Sequence, residues 1–378
     1  GILLNTFSLF IDPMSDEFGW DRAQVALLVT LFGLAVAVSS PLKGWLIDRW
    51  GARRVLLWLT ALLSPLLMAM AAVSEVWQLY GLFLGIGLLA PGNLPYGKIL
   101  GAWFGQRLGM AYGLLGLGFG IGGPLGLFIG HQSIEAWGWR TTYVLYGALE
   151  LGLALPLLYW LFRERTAQAQ QPAAGQAEGL SMRQAWRTAS FWLVLGNQLL
   201  TVFVISGVMT HGVPMLVERG LSRAQAGTVL SALWIGMMVS QPLMGALMDR
   251  FVTPRVVLPS AMVALAGMLL FMSGGGFHGL WLAVFLIGLG GGGESGTTKY
   301  FVVRYFGLRH FSAIYGLIQP FVFALSISLG AYLLGWLYDR SGSYRQAEWL
   351  LCAAFAVAAL SLLAFRRYPP ATTGGRVQ

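Results

Sequence analysis

Charged residues are scarce in this chain of 378 residues, because Asp, Glu, Lys and Arg together make up only 10% of it. Soluble globular proteins contain about 25%, so the shortage argues against an ordinary cytosolic enzyme and against a disordered chain. The single cysteine, Cys352, excludes an internal disulfide framework, and the four histidines are too scattered to form a metal site. The chain is 57% hydrophobic, and apolar runs of about 20 residues recur from end to end, which indicates a lipid bilayer as the solvent.

We predict an all-α integral membrane protein with twelve transmembrane helices, because a helix satisfies its own backbone in lipid. The predicted limits of spans 1 to 12 are 1–12, 24–47, 55–74, 77–103, 108–130, 140–162, 189–214, 223–248, 256–274, 279–303, 311–338 and 346–365. The apolar run Gly1–Ile11 rises only about 17 Å as a helix. We therefore interpret span 1 as the outer half of a truncated helix, not as a signal peptide.

A polar segment rich in Ala and Gln, residues 163–188, separates spans 6 and 7 and is predicted to be a cytoplasmic linker. It divides the chain into two pseudo-symmetric six-helix bundles, residues 1–162 and 189–367, followed by a cytoplasmic tail at 368–378. With this orientation, fifteen of the 24 basic residues fall in loops and the tail on the linker side, and six fall on the other side. Lys43, Lys98 and Lys299 lie within spans. This distribution follows the positive-inside rule and explains the net charge of +9 without a nucleic-acid partner.

The two predicted bundles repeat one another in sequence. EFGWDRAQ from Glu17 matches ERGLSRAQ from Glu218, and PLKGWLIDRWGARRVLL from Pro41 matches PLMGALMDRFVTPRVVL from Pro242. The offset is 201 residues in both pairs. WFGQRLGMAYGL and YFGLRHFSAIYGL form a further pair at an offset of about 202. A repeat of six spans in the same orientation is the architecture of transporters whose halves are related by an axis along the membrane normal.

The segment G-x-L-x-D-R-x-G-x-R-R after span 2 resembles the signature loop of the major facilitator superfamily. Within that superfamily, EFGW and AWFGQRLGMAYGLLGLG look like the monocarboxylate porter and oxalate/formate antiporter group. The resemblance implies alternating access around a cavity lined by spans 1, 4, 7 and 10. It also implies that the signature loop and its repeat latch the cytoplasmic side, with candidate gating residues Asp48, Arg49, Arg53, Arg54, Asp249 and Arg250. The alternative for the arginines is that they only hold the topology.

Spans 4 and 10 are interrupted by polar, glycine and proline residues at corresponding positions. Span 4 contains LLAPGNLPYGKILG and span 10 contains GLGGGGESGTTKYF. Matched interruptions of this kind indicate a transport site, because unwound backbone is tolerated in a membrane only where it is buried in protein or lines a cavity.

Ionisable groups inside spans are costly and need a reason. For Glu294 the two readings are a proton-coupling carboxylate and a structural ion pair. For Lys98 and Lys299 they are a cationic pair for an anionic substrate and snorkelling to the headgroups. The full set of candidate substrate-binding residues is Asn93, Tyr96, Lys98, Tyr112, Asn197, Glu294, Lys299, Tyr315 and Gln319.

We therefore expect a secondary active transporter of a small organic anion, a monocarboxylate, with a proton or counter-substrate as the coupled species. Spans 8 and 11 lack the basic residues that carboxylate porters of this group carry there, except at their ends. Efflux of a hydrophobic or amphiphilic compound thus stays open as an alternative. A polytopic sensor or a membrane enzyme is disfavoured, because the chain has neither a long soluble domain nor a catalytic motif. We expect a monomer in the cell membrane that needs no cofactor.

Overall fold

The computed structural model describes residues 6, 8–19, 22–105, 107–162 and 179–368. Regular secondary structure in these ranges is entirely helical, which confirms the predicted fold class. The helix Ser8–Phe18 belongs to span 1, span 2 is Arg22–Trp50, span 3 is Ala52–Ala69 with a 3-10 turn at Met70–Ala72, span 4 is split into Val76–Leu89 and Leu94–Trp103, and spans 5 and 6 lie in Leu108–Leu149, a π-helical turn at Glu150–Ala154 and Leu155–Leu161.

The second half of the chain follows the same order after a short helix, Met182–Trp186. Span 7 is Ala189–Glu218, span 8 is Arg223–Arg250, span 9 is Leu258–Ser273 after a 3-10 turn at Pro254–Val257, span 10 is split into Phe277–Gly291 and Glu294–Phe306, span 11 comprises Phe311–Phe321, a π-helical stretch at Val322–Leu329 and Gly330–Ser341, and span 12 is Arg345–Ala364. We call the side on which even-numbered spans end the linker side, since the linker joins spans 6 and 7 there.

Eight of the described helices are long and apolar enough to cross a membrane by themselves. They do not include spans 4 and 10, because each of these is interrupted and its halves are short. Spans 5 and 6 are counted once because they meet at a kink without an intervening loop. At that kink Gly138 has a φ of +77°, a conformation that glycine adopts without strain.

The described residues divide into two compact units. The first unit comprises the chain up to Ile99, residues 118–162 and Ser312–Pro320; the second comprises Leu100–Leu117, residues 179–311 and the chain from Phe321 onward. The start of span 11 thus belongs with the first unit, and the start of span 5 with the second. Each unit has its own apolar core, around Phe10, Leu63 and Tyr143 in the first and around Val208, Ala283 and Phe355 in the second.

On the side opposite the linker, Glu17 follows the predicted limit of span 1 and its repeat Glu218 follows that of span 7. Each binds the connection between two later spans, spans 5 and 6 for Glu17 and spans 11 and 12 for Glu218. Glu17 accepts hydrogen bonds from Trp139 Nε1 (2.6 Å) and from Arg140 (2.8 Å). The Arg140 hydrogen bond is the main reason that the pKa of Glu17 lies below its ordinary value. In the second unit, Glu218 accepts from Ser343 Oγ and from the backbone N–H of Tyr344. The repeated EFGW and ERGL segments therefore make equivalent contacts.

The second unit has an additional ion pair next to this anchor. The two terminal nitrogens of the Arg219 guanidinium, Nη1 and Nη2, donate to Glu348, which is only 3% exposed. The Arg219 guanidinium also lies 4.6 Å from the centre of the Phe271 ring. Because the pair is bidentate and largely buried, it joins spans 7 and 12 through two charge-assisted hydrogen bonds.

Candidate substrate site and gating contacts

The interruption of span 4 follows directly from its sequence. The helix Val76–Leu89 ends at Ala90, whose φ of −55° and ψ of 117° are not helical, and the helix restarts at Leu94. Pro91 has no N–H, so the carbonyl of Gly87, four residues earlier, loses its usual donor. Gly92 has a φ of +58°, which glycine tolerates and other residues rarely adopt. Two backbone carbonyls, those of Gly87 and Ala90, consequently need a donor from elsewhere.

Lys43 of span 2 supplies both donors. Its Nζ donates to the Gly87 carbonyl at 3.1 Å and to the Ala90 carbonyl at 2.7 Å, and the residue is 3% exposed. The ammonium group therefore lies at the C-terminal end of a helix, where the helix dipole favours a positive charge. Sequence reasoning placed Lys43 inside a span without giving it a role. The signal in the sequence is Pro91, because the N–H that it lacks leaves the Gly87 carbonyl in need of a polar partner.

The interruption of span 10 consists of glycines, and one side-chain hydrogen bond supports it, compared with two at the span 4 interruption. Gly292 still donates to the Gly288 carbonyl at 2.8 Å, so the helical bonding continues to that point. The Gly292 carbonyl accepts from Gln241 Nε2 of span 8 at 2.6 Å. This bond fixes the orientation of the amide, and Gln241 Oε1 is left buried without a hydrogen-bond partner among the described residues. Sequence reasoning missed Gln241, because a neutral residue in an apolar span gives no distinctive signal.

The two interruptions are related by the sequence repeat. A Cβ added at Gly87 would lie 2.6 Å from the Phe32 carbonyl of span 2. At an offset of 201, a Cβ added at Gly288 would overlap the Leu233 carbonyl of span 8 even more closely. In each case a glycine brings the spans into backbone contact just before the break. The supporting side chains are also neighbours in the repeat, since Gln241 corresponds to Ser40, three residues before Lys43.

On the linker side, the aspartates of the signature loop and of its repeat each bind the start of another span. Asp48 accepts from the backbone N–H groups of Ser312 (3.3 Å) and Ala313 (2.8 Å) at the start of span 11. Asp249 accepts from Gly109 (2.7 Å) and its neighbour Met110 (2.8 Å) at the start of span 5. The first N–H groups of a helix have no partner within it, and the helix dipole is positive there, so a carboxylate is a favourable cap. We call these the Asp48 clasp and the Asp249 clasp.

Glycines allow the helices of each clasp to approach closely. A Cβ added at Gly44 would overlap the Ser312 carbonyl, and one added at Gly245 would overlap the Gly109 carbonyl. Gly44 and Gly245 stand at the repeat offset of 201. The two clasps therefore share a carboxylate cap and a glycine contact one turn before it.

The comparisons with known proteins agree with this architecture. The sequence profile of the Major Facilitator Superfamily matches residues 1–331. The chain belongs to the Major Facilitator Superfamily. It is thus a multi-pass membrane protein of a transporter family, and neither this family nor this fold is that of an enzyme.

Superfamily members with sequence similarity include three named for carboxylates. The 3-(3-hydroxy-phenyl)propionate transporter of Escherichia coli (strain K12) is 28% identical over 78% of this chain and 73% of its own length. The gallate transporter of Pseudomonas putida is 26% identical over 66% of this chain and 62% of its own length. Monocarboxylate transporter 11 of Mus musculus is 27% identical over 93% of this chain and 81% of its own length. Among solved structures, the E. coli fucose:proton symporter FucP matches with a TM-score of 0.73 at 14% identity, covering 96% of each chain, which shows the shared superfamily fold.

The lysine of span 4, Lys98, belongs to the Asp48 clasp. Lys98 Nζ lies 2.6 Å from Asp48 Oδ1, and the Asp48 side chain is 7% exposed. This arrangement is neither of the two predicted for Lys98, since its partner is a carboxylate of the protein. A role for Lys98 in substrate binding stays a prediction. Its repeat equivalent, Lys299, is 2% exposed.

The arginines of the signature loop and of its repeat make contacts different from those of the two clasps. Arg53 donates to the Tyr159 carbonyl at 2.6 Å and lies over the Tyr159 ring, at the end of span 6. Arg49 lies over the Trp45 ring, Arg250 lies over the Phe251 ring, and Arg54 is exposed. These arginine contacts lie outside the two clasps, and gating by the arginines stays a prediction.

The remaining candidates differ in their surroundings. Asn197 donates to the Ala358 carbonyl (2.9 Å) and to Ser361 Oγ (3.0 Å) of span 12, and it lines a small cavity within the second unit. Asn93 Oδ1 and Gln319 Nε2 are buried without a hydrogen-bond partner among the described residues. Tyr96 packs edge-on against Phe162, Tyr112 and Tyr315 are buried, and the side chain of Glu294 lies outside the described residues.

Proposed function

We propose that this superfamily member is a secondary active transporter that moves a small monocarboxylate by alternating access. The observation that carries the proposal is the matched interruption of spans 4 and 10. At each break a buried polar side chain donates to the backbone carbonyls. Lys43 donates to two carbonyls at the span 4 break, and Gln241 donates to one at the span 10 break. Broken helices near the middle of a transporter commonly form its substrate site, and a buried ammonium at one of them favours an anion.

The names of the relatives support the carboxylate assignment. The 3-(3-hydroxyphenyl)propionate, gallate and monocarboxylate carriers are all named for acids with a single carboxyl group. Two of these acids carry a phenolic hydroxyl group. Among the described residues, the amide oxygen of Asn93 beside the span 4 break is buried without a hydrogen-bond partner, so a phenolic hydroxyl group of such a substrate has an acceptor there.

The two clasps are proposed as the gate on the linker side. Alternating access requires that side to open, so Asp48 must release the start of span 11 and Asp249 the start of span 5. The excess of basic residues supports placing the linker side, the linker and the C-terminal tail in the cytoplasm. The moving bodies in this proposal are the bundles 1–162 and 189–367, and a monomer suffices for the cycle.

Proton coupling is the second part of the proposal, and Glu294 is its candidate carboxylate. Glu294 begins the second half of the broken span 10, where an ionisable group inside a membrane needs a functional or structural reason. The remaining candidates, Tyr96, Lys98, Tyr112, Asn197, Lys299, Tyr315 and Gln319, are proposed to line or support the substrate path.

The test is uptake of radiolabelled 3-(3-hydroxyphenyl)propionate into proteoliposomes, with and without an inward proton gradient. We expect saturable uptake that the gradient stimulates and that Glu294→Gln uncouples from it. Glu135→Gln is the matched control, because this carboxylate is 63% exposed and pairs only with His131 among the described residues. The carboxylate proposal fails if the purified protein transports none of several monocarboxylates. Transport of a lipophilic dye in the same vesicles would then favour the efflux alternative.

A further inference from the structure

Two lysines of the first unit are associated with span 4, and the structure gives them different electrostatic surroundings. Lys98 forms an ion pair with Asp48, so its charge is neutralised by a carboxylate 2.6 Å away. Lys43 bonds to two carbonyl groups, and no carboxylate oxygen of the described residues lies within ion-pair distance of its Nζ. The positive charge at the span 4 interruption is therefore that of Lys43.

The hydrogen bonds alone do not require this charge. Pro91 leaves the Gly87 carbonyl without its helical donor, and the Ala90 carbonyl lies where the helix has already ended. A neutral amide has two N–H groups that could serve both carbonyls. At the equivalent break of span 10, the neutral Gln241 does bond to the freed carbonyl. A buried charge costs more than a buried amide. The presence of an ammonium group at the span 4 break thus needs a reason beyond carbonyl satisfaction.

We propose that Lys43 is the residue that makes the transporter specific for anions. It acts through its charge from behind the span 4 break, without touching the substrate, and is a positioning residue for the carboxylate. This inference rests on the proposed function. If the substrate carboxylate lies about 8 to 10 Å from Nζ and the effective dielectric constant is about 20, the Lys43 charge gives about a 15- to 35-fold preference for the carboxylate over a neutral analogue.

The experiment compares the carboxylate probe 3-(3-hydroxyphenyl)propionate with its neutral amide, both as labelled substrates in proteoliposomes. The variants are Lys43→Met, Lys43→Gln and Lys43→Arg. Methionine removes both the donors and the charge, glutamine keeps donors without the charge, and arginine keeps both. We expect the KM ratio of amide to carboxylate to fall about 15- to 35-fold in the Met and Gln variants and to stay near wild type in the Arg variant.

Arg187→Met is the control, because it removes an exposed positive charge that is not among the candidate binding or gating residues. The KM ratio of amide to carboxylate should change less than threefold in this variant. Each variant is checked for folding by size-exclusion chromatography and thermal melting in detergent. If the Met variant fails to fold, the Gln variant alone decides the question.

Two outcomes overturn the inference. If Lys43→Gln keeps the wild-type KM ratio, the role of Lys43 is only to satisfy carbonyls. If carboxylate and amide are impaired equally, the effect is structural. Both outcomes leave carboxylate uptake by the wild-type protein intact, so they are distinct from failure of the proposed function, in which the wild type itself transports no carboxylate.

Discussion

Replacing Asp48 by asparagine is expected to loosen the Asp48 clasp. In the structure each carboxylate oxygen accepts one backbone N–H from the start of span 11, at 3.3 Å from Ser312 and 2.8 Å from Ala313. Asparagine keeps one oxygen and turns the other acceptor into a donor, which faces an N–H. It also removes the charge that the positive end of the helix dipole favours.

The size of the effect follows from these two bonds. Hydrogen bonds to a charged group contribute about 1.5 kcal/mol or more each, and a neutral one about 1 kcal/mol. Losing two of the former and keeping one of the latter costs about 2 kcal/mol. Since about 1.4 kcal/mol corresponds to a factor of ten, the open population should rise about 30-fold.

A cysteine at Ser312 reports the opening. Ser312 is fully buried, and its Oγ has no hydrogen-bond partner among the described residues, so a thiol should be accepted there. Cys352 is the chain's only native cysteine, and Cys352→Ala gives a background without other thiols. With N-ethylmaleimide as the probe, Asp48→Asn should raise the alkylation rate of Cys at 312 by about 30-fold, if opening equilibrates faster than alkylation.

The matched control is Asp339→Asn, an exposed carboxylate near the other end of span 11, which should leave the rate unchanged. Lys98→Met removes the ion pair but keeps both backbone hydrogen bonds, and should therefore have a smaller effect than Asp48→Asn. The reasoning is refuted if Asp48→Asn leaves the alkylation rate within twofold of the parent, or if Lys98→Met alone reproduces the full increase.

Three further substitutions test other contacts. Gly245→Ala should keep the Asp249 clasp from closing, because the added Cβ would overlap the backbone of span 5, and the measured effect should be reduced uptake. Gly227→Ala is the control in the same span. Its added Cβ would have no described atom within 4 Å, so uptake should match the wild type. In Glu17→Gln, the melting temperature should decrease less between pH 7 and pH 3 than it does in the parent protein. The Arg140 hydrogen bond lowers the pKa of Glu17 from 4.5, so the ionised Glu17 stabilises the folded state. This stabilisation is present above pH 4.5 and is lost as the pH falls through the folded-state pKa. Glu348→Gln leaves a buried guanidinium without its counter-charge and should lower the melting temperature, by the equivalent of about 3 kcal/mol; an unchanged melting curve would contradict the ion pair.

The sequence predicted the helices and their interruptions because both are local properties. Hydropathy located span 2 at 24–47, and the helix is Arg22–Trp50. The prolines and glycines of spans 4 and 10 predicted breaks. The first helix of span 4 ends at Leu89, before the non-helical Ala90, and the first helix of span 10 ends at Gly291, before a turn at Gly292 and Gly293. A missing N–H at proline and the conformational freedom of glycine act on their own neighbours, so no long-range information was required.

The partners of the polar side chains could not be predicted in the same way. Lys98 and Asp48 are 50 residues apart, and Lys43 is 44 residues from Gly87. For Lys98 the sequence suggests a substrate anion or lipid headgroups, and it gives no indication of its actual partner, an aspartate at the end of another span. Such pairs depend on how helices cross, which a single sequence does not record.

The chemical difference between the two breaks is encoded in the residues that cause them. Proline removes a donor permanently, so the segment around Pro91 cannot regain full helical bonding, and the Gly87 carbonyl always needs an external donor. Glycine removes no donor, and Gly292 retains its helical hydrogen bond to Gly288. The span 4 break is thus a fixed feature held by a buried cation, whereas the span 10 break is held by one neutral hydrogen bond from Gln241 and can be reshaped at lower cost. The interruptions lie at equivalent positions in the two halves but differ in character. The span 4 break carries a fixed charge, and the span 10 break has an adaptable backbone.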